Sequence, residues 1–262
     1  MGPIEKIGHA AGYCWRLGAT AGCFVVFGIG ALILTLVVFP IARVCSPDQD
    51  TTTLRVRRAI GWTFRLFVRL MERLGLLQTS VNGDTRLDQG GILVIANHPT
   101  LIDVVLLLSA TPTCECVVKS ALWRNPILGG VMRIADYMKN DSPEGMITEC
   151  VSRLQRGRSL VIFPEGTRSP PGTTNPFKRG AAHIALQSDC PVVLVQIECD
   201  PPALYKGQKW YLLPREKIRI AVNVGKPFNC KEIVGDCRLD TVGVRRLTAY
   251  FESRLRTVSK DM

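Results

Sequence analysis

Residues 91–110 read GILVIANHPTLIDVVLLLSA, and this stretch decides the fold class. Its first part, GILVIAN at 91–97, is an uninterrupted apolar run that predicts a strand buried on both faces. The second part, LIDVVLLLSA, predicts a helix after a short turn. Thr100 and Asp103 have the spacing of a capping box, with Thr100 at the N-cap and Asp103 at the third helical position. A buried strand that passes into a helix is the repeating unit of a parallel α/β sheet.

The chain after residue 110 repeats this alternation. Further strands are predicted at ECVVK, SLVIF, PVVLVQIE and KIRIAVNV, and further helices at PILGGVMRI, KRGAAHIALQS and LDTVGVRRLTAYFESRLRTV. Ser142 as N-cap, Pro143 at the first helical position and Gly157 past the end bracket another helix. The predicted fold is therefore α/β, a sandwich with a mostly parallel central sheet.

A long apolar segment precedes this region. Residues 17–42 carry no charged side chain and include FVVFGIGALILTLVVF, which is long enough to span a bilayer. A cleaved signal peptide is the alternative, but the run is longer than an ordinary signal core and no clear cleavage site follows it. Basic residues are more numerous after the run than before it: Lys6 and Arg16 precede, whereas Arg43, Arg55, Arg57 and Arg58 follow. This bias predicts that everything after residue 42 lies in the cytoplasm.

The segment at 54–77 is amphipathic when plotted as a helix. The basic sector contains Arg55, Arg58, Arg65, Arg69 and Arg73, and the apolar sector contains Ile60, Phe64, Phe67, Leu70, Met71 and Leu74. Such a helix could pack its apolar face on the domain. We predict instead an interfacial helix, with the apolar face in lipid and the arginines on anionic headgroups.

Composition limits the partners and the chemistry. The formal net charge of +11 is compatible with nucleic acid, an anionic bilayer or phosphate-bearing substrates. The ten cysteines form no C-x-x-C pair, so reduced thiols in a cytosol-facing protein are the simpler interpretation. The three histidines, His9, His98 and His183, are far apart, and no metal site is predicted.

His98 follows the strand at 91–97, where α/β sheets place their binding sites. An aspartate that accepts a hydrogen bond from one ring nitrogen leaves the other nitrogen free to act as a general base. Asp103 could fill this role, although helix capping alone would account for it. Taken alone, the five-residue spacing is a weak signal.

A second strand-to-turn segment, SLVIFPEGTRS at 159–169, strengthens the interpretation. The small Gly166 lets backbone N–H groups approach an anion, and Arg168 offers a planar fork for two phosphate oxygens. Lys178 stands at the next helix start. A solvated basic loop is the alternative. Together the two turns indicate a phosphate-bearing substrate beside a proton acceptor.

The two turns resemble the motifs of the glycerolipid acyltransferase family, which includes the 1-acylglycerol-3-phosphate acyltransferases. The N-H-x-x-x-x-D motif matches Asn97, His98 and Asp103, and F-P-E-G-T-R-S matches Phe163 to Ser169 without a break. A family lysine is similar to Lys119, and a later strand motif is similar to Pro191–Ile197. The resemblance covers roughly residues 79–228. The family's second motif often ends in arginine, whereas this chain has YMKN at 137–140, where Lys139 or the nearby Arg133 could supply the charge.

The resemblance implies a membrane-bound O-acyltransferase with three regions: a membrane anchor helix at 1–45, a linker and basic amphipathic helix at 46–78, and an acyltransferase domain at 79–262. It implies His98 as catalytic base, with Asp103 orienting it. The residues implied to bind substrate are Asn97, Glu165, Gly166, Thr167, Arg168, Lys119 and Lys178.

Acyl transfer in this family implies an acyl carrier protein or coenzyme A thioester as co-substrate, with no other cofactor. The implied acceptor is a lysophospholipid, best 1-acyl-glycerol-3-phosphate giving phosphatidate. Membrane lipids are expected partners and nucleic acid is not. The expected location is the inner, cytoplasmic membrane, with the catalytic domain on its cytoplasmic face. Three alternatives stay open: a different lipid acceptor, a thioesterase that uses water, and a non-catalytic membrane-binding homologue.

Overall fold

The computed structural model describes residues 3–84, 87, 90–173, 175–235 and 241–256. The strands are β1 (Leu77–Asn82), β2 (Leu93–Ala96), β3 (Glu115–Lys119), β4 (Met138–Asn140), β5 (Leu160–Ile162), β6 (Val192–Asp200) and β7 (Ile218–Val224). The helices are α1 (Pro3–Ile33), α2 (Phe39–Val44), α3 (Gln49–Arg73), α4 (Asp103–Ala110), α5 (Ser120–Trp123), α6 (Gly129–Ile134), α7 (Pro143–Gln155), α8 (Gly180–Ser188), α9 (Lys231–Val234) and α10 (Thr241–Arg256), with a π-helical segment at Leu34–Val38.

The seven strands form one sheet in the order β1-β7-β6-β2-β5-β3-β4. Every pairing is parallel except that between β6 and β7. The central strand β2 alternates its buried side chains between the two faces. Val94 and Ala96 join the core that also contains residues of α3 and α4, whereas Leu93 and Ile95 join the core with residues of α7, α8 and α10. The prediction of a mostly parallel α/β sandwich is confirmed.

The two edge strands, β1 and β4, were not predicted from the sequence. The sequence of β1 is mostly polar and only Leu77 is buried, so no apolar run marks it as a strand. Its strand conformation comes from pairing with β7. Strand β4 is only three residues long and pairs with β3 alone. The α4 prediction also needs a correction, because the helix begins at Asp103 and Thr100 is not its N-cap. Residues 100–102 instead form a turn, and the Thr100 N–H donates to the Asp103 carboxylate at 2.8 Å.

The predicted N-terminal apolar helix is present. Residues Ala11–Val44 are long and apolar enough to cross a membrane, and only 17% of the most apolar window is buried. Pro40 lacks an N–H for an intrahelical bond, and the π-helical segment lies directly before it. The other flank of the helix packs on the rest of the protein. Phe27 contacts the rings of Phe64 and Phe67, and Thr35 lies against Gly130.

The prediction that the apolar face of the 54–77 helix lies in lipid is wrong. The helix is α3, and Ile60 and Met71 on that face belong to the protein core. The face is covered because α1 and α4 pack against it, which removes apolar area from water just as lipid would. The predicted basic sector of Arg55, Arg58, Arg65, Arg69 and Arg73 is exposed.

A buried ion-pair network joins α3 to the sheet. Glu115, at the start of β3, is completely buried and pairs with Arg57 at 2.8 Å and Arg153 at 2.6 Å. Arg57 is 5% exposed and also donates from Nε to the Ala135 carbonyl. Asp136 joins the same arginines at the outer side of the network. Because each buried charge has a partner, the network is sensitive to the loss of any one of them.

We expect Glu115→Ala to lower the free energy of unfolding by about 3 to 5 kcal/mol, since it leaves Arg57 buried with less compensation. For a chain of this size that is a fall in melting temperature of about 10 °C. Thermal unfolding in detergent measures it. Asp200→Ala, which removes an exposed pair with Arg219, is the control and should change the melting temperature little. Equal melting temperatures for the two variants would contradict this role of Glu115.

Candidate active site

His98 and Asp103 lie together at the carboxyl end of β2. The His98 Nδ1 and Asp103 Oδ2 atoms are 2.8 Å apart, and Asp103 is completely buried whereas His98 is partly exposed. The His98 ring stacks on Phe163, with ring centroids 4.4 Å apart. The Thr100 N–H donates to the same oxygen, Oδ2. An aspartate that accepts from the Nδ1–H holds the proton on that nitrogen and leaves Nε2 free to accept one.

The second carboxylate oxygen of Asp103 is buried without a hydrogen bond from any residue that the structure describes. Burial raises the pKa of Asp103 to about 6, although the hydrogen bond and charge of His98 and the Thr100 N–H act in the opposite direction. The nearby negative charge of Glu165 raises it further. The ionised carboxylate is therefore costly to hold here, which suits a group that must stabilise a positive charge on its neighbour.

Glu165 connects the two predicted turns, and its role in binding substrate stays a prediction. Its side chain is 6% exposed. One carboxylate oxygen accepts the His98 N–H at 2.8 Å, and the other accepts the Ser169 hydroxyl. The Ser169 N–H in turn donates to the His98 carbonyl at 3.1 Å. Glu165 thus fixes the histidine backbone against the FPEGTRS turn, and both of its oxygens already have protein partners.

Asn97 connects the His98 turn to the neighbouring strand. Its amide N–H donates to the Ile197 carbonyl at 2.8 Å, and its amide oxygen accepts the Ile197 N–H at 2.6 Å. These two bonds attach the end of β2 to its neighbour β6. Asn97 therefore helps to hold the turn that carries His98, and its role as a substrate ligand stays a prediction.

Four cations surround the FPEGTRS turn. The half-buried Arg168 donates from Nη1 to the Leu204 carbonyl at 2.6 Å. The Lys178 ammonium lies over Gly166, since a Cβ atom added there would be 2.9 Å from Nζ. The pKa of Lys119 is lowered, first by partial burial and then by the positive charges of Lys206, Arg168 and Lys178. Such a cluster of cations is stabilised by an anion.

Lys206 is the member of this cluster that the sequence did not predict. It follows β6 in a segment without a motif, and only the fold brings it near Lys119. Thr167 lies half-buried in the same turn as Arg168.

The two residues considered as substitutes for the second-motif arginine have other partners. Lys139 pairs with Asp141, and Arg133 donates to the Trp123 carbonyl.

Cysteine thiols and metal ligands are the other groups that could carry chemistry near this site. None of the nine described cysteines forms a disulfide bond. Burial raises the pKa of Cys116 and of Cys150 to about 12, and that of Cys199, near Asp103, to about 11. These thiols stay protonated at neutral pH and are poor nucleophiles. The described part of the chain holds no group of three or more His, Cys, Asp or Glu side chains placed to bind a metal.

We expect Gly166→Ala to weaken binding of an anionic substrate. Gly166 has φ +67°, which disfavours a side chain, and the added methyl group would displace the Lys178 ammonium. The Michaelis constant for the acceptor should rise about tenfold, as measured by initial rates. Gly172→Ala is the matched control, because Gly172 has φ +70° but open space around the added atom. If both variants raise the Michaelis constant equally, backbone strain and not Lys178 is responsible.

Comparisons with known proteins point to one family. The Acyltransferase family model matches residues 78–198. The 1-acyl-sn-glycerol-3-phosphate acyltransferase of Cocos nucifera is 37% identical over 109 residues, 38% of this chain and 35% of the relative. The Saccharomyces cerevisiae protein of that name is 32% identical over 52% of this chain and 48% of its own length. The human beta form is 28% identical over 66% of this chain and 60% of its own.

The chain therefore spans about a third to three fifths of the length of these curated relatives. The fold match is more extensive. The crystal structure of the 1-acyl-sn-glycerophosphate acyltransferase of Thermotoga maritima superposes with a TM-score of 0.71 and covers 92% of this chain and 95% of its own. At 20% sequence identity this likeness concerns the fold alone.

Proposed function

We propose that this chain, whose residues 78–198 match the Acyltransferase family model, transfers a fatty acyl group from an acyl thioester to the hydroxyl of 1-acyl-glycerol-3-phosphate, giving phosphatidate. The observation that carries the proposal is the His98 and Asp103 pair beside the FPEGTRS turn with its four cations. A proton acceptor next to an anion site fits a substrate with both a hydroxyl and a phosphate.

The acceptor hydroxyl needs a base because an alcohol is a weak nucleophile at neutral pH. Nε2 of His98 takes the hydroxyl proton as the oxygen attacks the thioester carbonyl carbon. The tetrahedral intermediate then expels the thiolate, which recovers a proton from the imidazolium. Asp103 stabilises the imidazolium through Nδ1–H. The buried thiols have raised pKa values, which supports direct transfer without an acyl-cysteine.

The cations would bind the acceptor phosphate. Arg168 offers its remaining N–H groups, and the ammonium groups of Lys178 and Lys119 add charge near it. An anion would also relieve the mutual repulsion that lowers the pKa of Lys119. Acyl carrier protein or coenzyme A is proposed as the carrier of the thioester.

We propose that the protein is bound to a membrane through its N-terminal region. The apolar flank that faces away from the domain includes Val25 and Ile29 of α1 and Leu36 of the π-helical segment, all exposed. Lipid would cover this flank while the opposite flank stays packed on the domain. The free cysteines support a catalytic domain on the cytoplasmic face of an inner membrane. We keep the proposed division of the chain into an anchor (1–45), a linker helix (46–78) and an acyltransferase domain (79–262).

A second candidate acceptor is favoured by one observation. Lys139, the nearest substitute for the family's second-motif arginine, is paired with Asp141 at the edge of the sheet. A lipid hydroxyl on a different headgroup could therefore be the physiological acceptor, with the same chemistry at His98.

The test uses the full-length protein in lipid nanodiscs with acyl thioester and a panel of acceptors. We expect phosphatidate to form from lysophosphatidate, and little product from monoacylglycerol, which lacks the phosphate. Acylation of another lysolipid without any of lysophosphatidate would replace the first proposal by the second. Release of fatty acid at a rate independent of every acceptor would indicate a thioesterase. No turnover at all would indicate a non-catalytic homologue.

A further inference from the structure

The segment between β6 and β7, residues 201–217, carries an exposed apolar and basic surface; we call it the 201–217 loop. Trp210, Tyr211 and Leu212 are consecutive, and 44%, 39% and 53% of their surfaces are exposed. The loop contains four basic residues and one acidic residue: Lys206, Lys209, Arg215 and Lys217 against Glu216. Exposed aromatic side chains among lysines and arginines are typical of surfaces that lie at membrane headgroups.

One side of the loop is attached to the apolar helix α1. The Tyr13 hydroxyl donates to the Tyr211 carbonyl at 2.8 Å, and the rings of Phe24 and Trp210 meet edge to face at 6.0 Å. Phe24 is itself exposed, as is its neighbour Val25. The apolar surface of the loop therefore continues directly into the flank of α1 that we assign to lipid.

The other side of the loop is attached to the active site. The Leu204 carbonyl accepts hydrogen bonds from Arg168 Nη1 at 2.6 Å and from the Leu101 N–H at 3.1 Å. Leu101 follows the His98 turn and is 43% exposed. Lys206, two residues after Leu204, belongs to the cation cluster. A path of exposed apolar and basic side chains thus runs from α1 to the site.

We infer that the 201–217 loop docks on the surface of an anionic bilayer, with Trp210, Tyr211 and Leu212 at the headgroups and Lys209, Arg215 and Lys217 on lipid phosphates. This inference rests on the proposed acylation of a membrane lipid. The acceptor then passes along the loop from the bilayer to Arg168 without crossing water. An acidic carrier protein would also suit the lysines, but the apolar side chains join the lipid-facing flank of α1 and favour the bilayer.

The first test locates Trp210 in full-length protein reconstituted in nanodiscs of anionic lipid. The fluorescence contribution of Trp210 is the difference between the wild-type protein and Trp210→Phe. We expect lipids brominated in the acyl chains near the headgroup to quench at least half of this contribution, and aqueous iodide to quench little of it. Quenching by iodide with no effect of brominated lipid would overturn the inference. This result does not depend on turnover, so it stands apart from the proposed function.

The second test measures acceptor kinetics. For the double variant Trp210→Ser, Leu212→Ser in anionic nanodiscs, we expect the Michaelis constant for a long-chain lysophosphatidate to rise at least fivefold. With a short-chain, water-soluble lysophosphatidate it should not change. Val242→Ser, on α10 and 54% exposed, is the matched control and should behave as the wild-type protein. A variant that raises only the Michaelis constant for acyl carrier protein would show carrier docking instead and would overturn the lipid assignment.

Discussion

Asp103→Asn should lower the rate constant of acyl transfer about 100- to 1000-fold, which is the typical cost of removing one group that stabilises charge in the transition state. The Thr100 N–H and the His98 Nδ1 both form hydrogen bonds with Oδ2 of Asp103. In the variant the amide oxygen can accept the same two bonds, so the orientation of the histidine is kept. The negative charge that stabilises the imidazolium is lost. Initial rates at saturating substrates and pH 8 measure the change.

The same variant should alter how stability depends on pH. Asp103 has its pKa raised from 3.8 to about 6 in the folded protein, so folding favours its protonated form. The contribution of Asp103 to the stability of the wild-type protein therefore decreases as the pH rises from about 4 through 6, by about 3 kcal/mol in total. Asparagine does not titrate, so the stability of the variant should rise relative to that of the wild-type protein over this pH range. Melting temperatures in detergent at several pH values would show it.

The control for this pH effect is Asp200→Asn, an exposed carboxylate paired with Arg219. A pH-dependent difference of the same size for Asp200→Asn would show that the effect is not specific to Asp103.

The sequence predicted the fold class because the apolar strands alternate with helices at lengths that only an α/β sheet satisfies. Strand β3 agrees with its prediction at both ends, and Ser142 caps α7 as predicted, with its hydroxyl accepting the Gly145 N–H. Strand β1 was not predicted because it is held by pairing with β7 and its sequence has no apolar strand pattern. The apolar face of α3 could not be assigned from periodicity, which shows that a face is buried but not whether protein or lipid covers it.

The candidate site was predicted to a similar extent. His98 and Asp103 meet as expected, because a strand-to-helix turn brings both to the sheet edge. Sequence patterns alone do not show what these side chains contact: Glu165 and Asn97 match family motifs, and in the structure their polar atoms bind the protein backbone and Ser169. Lys206 was missed because it is distant in sequence and only the course of the 201–217 loop brings it to Lys119.

His98→Ala should have the largest effect of any single substitution, since removal of a general base typically costs about 10²- to 10⁴-fold in rate. The imidazole is partly exposed, but it stacks on Phe163 and contacts the buried Asp103 at 2.8 Å, so folding of the variant is measured separately. Its circular dichroism spectrum and its recovery in the membrane fraction should match those of the wild-type protein. His183→Ala is the matched control, because His183 lies on α8 and is outside the His98 and Asp103 pair.

The most direct measurement is the rate of phosphatidate formation from acyl thioester and lysophosphatidate in nanodiscs, at saturating substrates, for the wild-type protein, His98→Ala and His183→Ala. Product is quantified by mass spectrometry, so the free thiols of the protein do not interfere. The proposed mechanism predicts a loss of about 10²- to 10⁴-fold for His98→Ala alone. Wild-type turnover by a folded, membrane-bound His98→Ala protein would contradict it.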